Sequence, residues 1–103
     1  GGRRIISAMT QVLVNLMEYG TSMQEAISAP RVHSEGPSSE VSERFPNEVI
    51  SQLKGCGRQV TIRGEGIASG FFARPSGIRI DDETGELRGG VFQYTPATAI
   101  AIK

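Results

Sequence analysis

Apolar residues recur at helical spacing between Arg4 and Gly20. Ile5, Met9, Val12, Leu13 and Leu16 form a stripe that Ile6 and Met17 widen, while Arg4, Ser7, Gln11, Asn15 and Glu18 lie mostly off it. This predicts an amphipathic helix, stopped by Gly20 in the left-handed position at which helices commonly end. A second, short helix follows: Ser22 and Glu25 stand at capping-box spacing, and Met23, Ala26 and Ile27 give it an apolar side. Pro30 disfavours helical geometry at Ala29, so this helix should stop near Ser28. Arg31-Val32-His33 reads as a brief extended piece, Ser34 to Ser39 as a surface loop, and Val41-Ser42-Glu43 as another short strand.

Pro46 suits the first turn of a third helix, with Val49, Ile50 and Leu53 facing inward and Gly55 and Gly57 ending it. Val60-Thr61-Ile62 alternates as a strand should, and Ile67 to Ala73 is a further strand candidate interrupted by Gly70. Ile78–Asp81 and Leu87–Phe92 flank the turn-forming cluster Asp82-Glu83-Thr84-Gly85, which predicts a hairpin. Thr98 to Ile102 is a last apolar strand. Helices first and then mostly antiparallel strands is the α+β pattern, and residues 1–103 are expected to form one unit.

Composition narrows the function classes. With 11 Lys+Arg against 11 Asp+Glu, the formal net charge of +0 leaves no electrostatic footprint for nucleic acid or an anionic membrane. One Cys excludes an internal disulfide framework. No apolar run approaches the roughly 20 residues of a membrane span. There is no charged-then-apolar leader and no initiator Met, so the chain reads as a piece cut from something longer. Three helices and a few short strands without any Trp form a meagre core for independent folding. Thr98-Ala99-Ile100-Ala101-Ile102 is apolar on both faces, as a sandwiched strand would be. Completion of a larger fold, or a homodimer, is therefore expected.

Few residues offer chemistry. Gly1-Gly2 stands immediately before the long helix, where backbone N–H groups lack internal partners and the macrodipole adds about half a positive charge. Two residues without side chains let a substrate approach those amides, one way to stabilise a developing oxyanion; a flexible end is the plainer reading. Arg3 and Arg4 could bind a carboxylate, although beside a helix start they act against the dipole. His33, the only His, lacks an evident nucleophile and orienter and reads as a loop or packing residue. Cys56, between Gly55 and Gly57, is expected to be small, semi-buried and inert. Asp81, Asp82 and Glu83 lack the spacing of a calcium loop and read as a solvated hairpin tip. Gly64-Glu65-Gly66 and Gly89-Gly90 lack the strand-Gly-helix context of a phosphate loop. Nothing requires a cofactor or a metal.

In order, Gly1-Gly2-x-Arg4-Ile5-Ile6, a helix ending Tyr19-Gly20, Glu25-Ala26, and Ala29-Pro30-Arg31-Val32-His33 resemble the C-terminal part of the γ-glutamyltransferase (γ-glutamyltranspeptidase) family. The resemblance continues through Val41-Ser42-Glu43, the helix from Pro46 to Gly57, Val60 and Thr84-Gly85-Glu86-Leu87-x-Gly89-Gly90. It implies the αββα sandwich of N-terminal-nucleophile hydrolases, and an enzyme that attacks a γ-glutamyl amide such as that of glutathione with a Thr at the start of its small subunit. Water or an amine then accepts the glutamyl group. It further implies that Gly1 and Gly2 are the glycine pair whose amides form the oxyanion hole. The partners would be the large subunit, the N-terminal part of the small subunit and the γ-glutamyl substrate.

The Thr nucleophile and the residues gripping the substrate's α-carboxylate and α-amine would lie outside this sequence, so the chain alone is expected to be inactive. If Gly1 is a true terminus, its amide becomes an amine and half of the hole is altered. Gly90-Val91-Phe92-Gln93-Tyr94-Thr95-Pro96 departs from the family's usual Asp-Pro-Arg step and Gly-rich tail, which keeps a related acylase open. The same residues are also compatible with a non-catalytic binding or oligomerisation module, or with an inactive paralogue. Many members of the family are exported, but a leader that would show it is absent from this sequence.

Overall fold

A computed structural model describes residues 2–66 and 70–94. Helices α1 (Arg3–Met17) and α2 (Met23–Ser28) are followed by strands β1 (Val32–Glu35) and β2 (Ser38–Ser42). Helix α3 (Asn47–Gly55) and strands β3 (Gln59–Arg63), β4 (Ser76–Ile80) and β5 (Leu87–Val91) complete the order. These elements cluster into two compact units, one of residues 1–8 and 30–73, the other of residues 9–29 and 74–103.

The first unit is a sheet of order β1-β2-β3. Strands β1 and β2 pair antiparallel, His33 opposite Glu40 and Glu35 opposite Ser38. The expected loop from Ser34 to Ser39 is thus a hairpin: only Gly36 and Pro37 turn, and Gly36 holds the positive φ (56°) that such a tight turn requires. β2 and β3 run parallel, joined through α3, whose Ile50 is buried. Two of the three strand pairings among the described residues are therefore antiparallel, within the α+β pattern. Of the strand expected over Ile67–Ala73, residues 67–69 lie outside the described residues. Residues 70–73 form a turn instead, closed by the Ala73 N–H donating to the Gly70 carbonyl at 3.3 Å. This unit's interior is rich in polar groups: Arg31, His33, Ser39 and Ser42 are buried with Val41 and Phe72.

The second unit packs α2 against the β4–β5 hairpin. Ser22 caps α2 by accepting from the Glu25 N–H at 3.1 Å, the N-cap half of the predicted capping box, while its hydroxyl donates to the Glu25 carboxylate. Val12, Met23, Ala26, Ile27 and Phe92 make the core, flanked by Leu16 and Tyr94. Gln24 behaves as a missing strand partner for Val91, accepting from its N–H at 3.0 Å and donating to its carbonyl at 2.8 Å. Gly90 is required here, because a Cβ would lie 2.9 Å from the Gln24 backbone. The last expected strand, Thr98–Ile102, lies outside the described residues.

Helix α1 has the predicted span and stop, with Gly20 at φ 63° and the Thr21 N–H and hydroxyl both donating to the Asn15 carbonyl. Its buried side differs from the predicted stripe. Ala8 and Val12 are buried, whereas Ile5, Ile6, Met9, Leu13 and Met17 are exposed. Among the described residues, the apolar arc of α1 is wider than its buried side.

Candidate functional site

The opening turns of α1 carry the candidate oxyanion site. Gly1 lies outside the described residues. Gly2 precedes the helix with φ 100°, a conformation that L side chains rarely adopt, and its carbonyl accepts from the Ile5 N–H at 3.3 Å. A Cβ on Gly2 would meet nothing within 4 Å, so the backbone angle rather than crowding calls for glycine there. No acidic residue occupies the first turn of α1.

Arg3 and Arg4, expected to oppose the dipole, are both engaged by carboxylates. Arg3 donates to Glu35 at 3.1 Å across an exposed pair. Arg4 donates to Glu40 at 2.7 and 3.3 Å and to the Phe71 carbonyl. The hydrogen bond to Glu40, with Coulombic help, raises Arg4 above its usual pKa and holds Glu40 below the usual carboxylate range. Arg63 approaches the second Glu40 oxygen at 3.9 Å and lies 4.7 Å over the Phe71 ring, a cation–π contact. Around these residues is a hollow of about 270 Å³ lined by Arg4, His33, Glu35, Ser38 and Glu40.

His33 is buried and bonded at both ring nitrogens. Nδ1 meets the Ser7 hydroxyl at 2.9 Å, and Nε2 meets Glu35 Oε1 at 2.9 Å. The orienter and the hydroxyl that the sequence pattern did not reveal are thus present. A signal for Glu35 exists in the sequence: His33-x-Glu35 on an extended segment puts both side chains on one face. Reading Ser34 to Ser39 as a loop hides it. No local signal pairs Ser7 with a residue 26 positions on.

Glu65, which lies outside any phosphate-loop context, is a second residue that spacing does not reveal. It accepts from Arg44 at 2.5 and 3.1 Å and from the Ser42 hydroxyl. Burial pushes the Glu65 carboxyl up, and the Arg44 and Ser42 hydrogen bonds, with the charges of Arg44 and Arg31, more than reverse this. Arg31 itself is pulled below its usual value by burial, and its Nε donates to the Phe72 carbonyl at 3.1 Å. Cys56 is exposed at the end of α3 rather than semi-buried, because α3 turns only its Ile50 side inward. The Asp81 carboxylate accepts the backbone N–H groups of Glu83 and Thr84, both at 2.9 Å, which makes the hairpin tip a turn held by its own side chain.

Residues 1–93 match the sequence model of the family described as Gamma-glutamyltranspeptidase. The chain belongs to the γ-glutamyltranspeptidase family. Among its relatives, the acylase ACY 1 proenzyme of Pseudomonas sp. (strain V22) is 38% identical over 102 residues, covering 99% of this chain and 17% of the relative. The glutathione hydrolase proenzyme of Bacillus subtilis subsp. natto is 30% identical over 103 residues, again 99% of this chain and 17% of the relative. The solved cephalosporin acylase of Bacillus halodurans superposes with a TM-score of 0.83 at 28% identity, over 93% of this chain and 18% of that one. The chain therefore spans about one sixth of the relatives' length, and its fold is part of the αββα sandwich of N-terminal-nucleophile hydrolases. Within this γ-glutamyltranspeptidase-family fold, Gly2 and the paired Arg3 and Arg4 open the helix that begins the match.

Proposed function

We propose that residues 1–103 are the C-terminal segment of an enzyme that transfers or hydrolyses γ-glutamyl groups, and that the amides of Gly1 and Gly2 stabilise the oxyanion. The observation carrying this reading is Gly2 at φ 100° ahead of a 15-residue helix with no acidic residue in its first turn. Amides at a helix N-terminus, with the dipole behind them, suit a developing negative charge. The nucleophile is a Thr outside residues 1–103 whose free α-amine is its base. Its Oγ bonds to the γ-carbonyl carbon, the proton passes through the amine to the leaving nitrogen, and the C–N bond breaks. Water or an amine then takes the glutamyl group by the reverse sequence. The remainder of the enzyme supplies the grip on the substrate's α-carboxylate and α-amine.

Greater identity to a protein named acylase than to one named glutathione hydrolase, 38% against 30%, favours a second reading, in which another acyl amide is the donor. Turnover of a γ-glutamyl anilide and of a cephalosporin side-chain amide by the full-length polypeptide separates the two. Faster turnover of the γ-glutamyl anilide supports the first reading; turnover of the side-chain amide alone contradicts it. Residues 1–103 by themselves release no anilide, since the nucleophile is elsewhere.

A further inference from the structure

We infer that His33 is a positioning residue: through Ser7 it fixes the first two turns of α1, and Glu35 fixes which imidazole nitrogen carries the proton. This rests on the oxyanion reading proposed above, since those turns hold the amides.

The need for such an anchor is visible in the packing. Of residues 3–8, Ala8 is the only buried apolar side chain; Ile5 is 47% exposed and Ile6 73%. These turns are therefore held in the first unit mainly by a polar seam. Arg3, Arg4 and Ser7 share one helix face. His33 and Glu35 share one face of β1, and Glu40 lies opposite His33 on β2. The contacts Arg3–Glu35, Arg4–Glu40 and Ser7–His33 join the two faces. Arg3 is 82% exposed, which leaves Arg4 and the 5% exposed His33 as the shielded members. Exposed pairs hold little; shielded, hydrogen-bonded ones fix geometry.

The proton count follows from the partners. Glu35 is an ionised carboxylate and can only accept, so Nε2 must bear hydrogen. In the neutral ring Nδ1 is then a lone pair, and the Ser7 hydroxyl donates to it. Ser7, His33 and Glu35 form one directed chain from helix to strand. Its geometry has the form of a nucleophile, base and orienter, yet Ser7 sits within a helix turn rather than among the residues lining the adjoining hollow. Positioning is the role these contacts support.

Two isosteric variants of the full-length enzyme test this. His33→Asn puts an accepting oxygen near the Nδ1 position and keeps the Ser7 contact; His33→Gln reaches the Nε2 position and keeps only Glu35. Displacing a catalytic group by about 1 Å costs up to ~10²-fold, so His33→Gln should lower kcat about tenfold or more with KM nearly unchanged, and His33→Asn far less. Ser7→Ala should match His33→Gln and add nothing to it. Imidazole ¹⁵N–¹H correlation should show the Nε2–H tautomer. Equal effects of Asn and Gln, an unchanged kcat in both, or an Nδ1–H ring would overturn the assignment. If Gly2→Ala lowers kcat while the His33 variants do not, the positioning role alone fails. If Gly2→Ala is also silent, the oxyanion reading fails with it.

Discussion

At the scale of single residues, the positions that decide the architecture are those where backbone or charge leaves no choice. Gly90→Ala must move either β5 or α2, because its Cβ would lie 2.9 Å from Gln24 backbone atoms. Overpacking of this kind costs about 1–3 kcal/mol, and the loss is expected as a lower denaturant midpoint at unchanged slope. Glu65 is held by Arg44 and Ser42 with its side chain only 2% exposed. Removing one partner of a buried pair strands the other, so Glu65→Gln should lose on the order of 3 kcal/mol in the same measurement. Neither effect is legible in the sequence. Gly89-Gly90 reads as part of a strand, and its close neighbour is a helix far earlier in the chain; Glu65 lies between two glycines with nothing local to mark it as buried. The helix start after Gly2 was legible from the apolar periodicity, and Gly2 ahead of it holds φ 100°.

Elements were legible wherever a local rule sets them. The Ser22 cap fixes the start of α2, Gly20 stops α1, and Asp81 with Gly85 closes the β4–β5 hairpin. Ser34–Ser39 misled because Ser, Gly and Pro are turn formers, while only Gly36 and Pro37 turn and the flanking serines pair across strands. The apolar stripe of α1 located the helix but not its buried side, which depends on partners that periodicity does not name. The polar seam of the first unit gives this scale its prediction. Glu40 is held low by Arg4, and Glu65 ends low through Arg44 and Ser42. A carboxylate depressed in the folded state stabilises fully above its unfolded pKa of about 4.3, and that contribution is lost as pH falls through the depressed folded value. Stability should therefore be level from pH 7 to about 5 and fall below about 4.3. Urea titrations across that range check this, and Glu40→Gln should flatten part of the slope.

For the whole molecule, the uncovered apolar surface is the main fact. Ile6, Leu13 and Met17 on α1 and Ile78, Ile80 and Leu87 on the hairpin are exposed, while the hairpin's glycine face, Gly77 and Gly90, is the one against α2. The chain spans 17% of its relatives' length, and on the function proposed above the rest of the sandwich covers such faces. Residues 1–103 alone should bind a hydrophobic dye and associate, and Leu13→Glu should reduce both; the full-length enzyme should do neither, and Leu13→Glu should destabilise it. Family membership was legible because the Gly-Gly opening and the Ala-Pro-Arg-x-His step fall in order. Donor specificity was not, because, on the function proposed above, the groups that grip the donor lie outside these residues. The most direct test of the account is kcat for γ-glutamyl anilide hydrolysis by the full-length enzyme carrying Gly2→Ala, which cannot keep φ 100° without strain. Displacement of an oxyanion donor by that strain predicts a fall of up to about 10²–10³ in kcat with KM little changed; a kcat equal to that of the parent enzyme would contradict it.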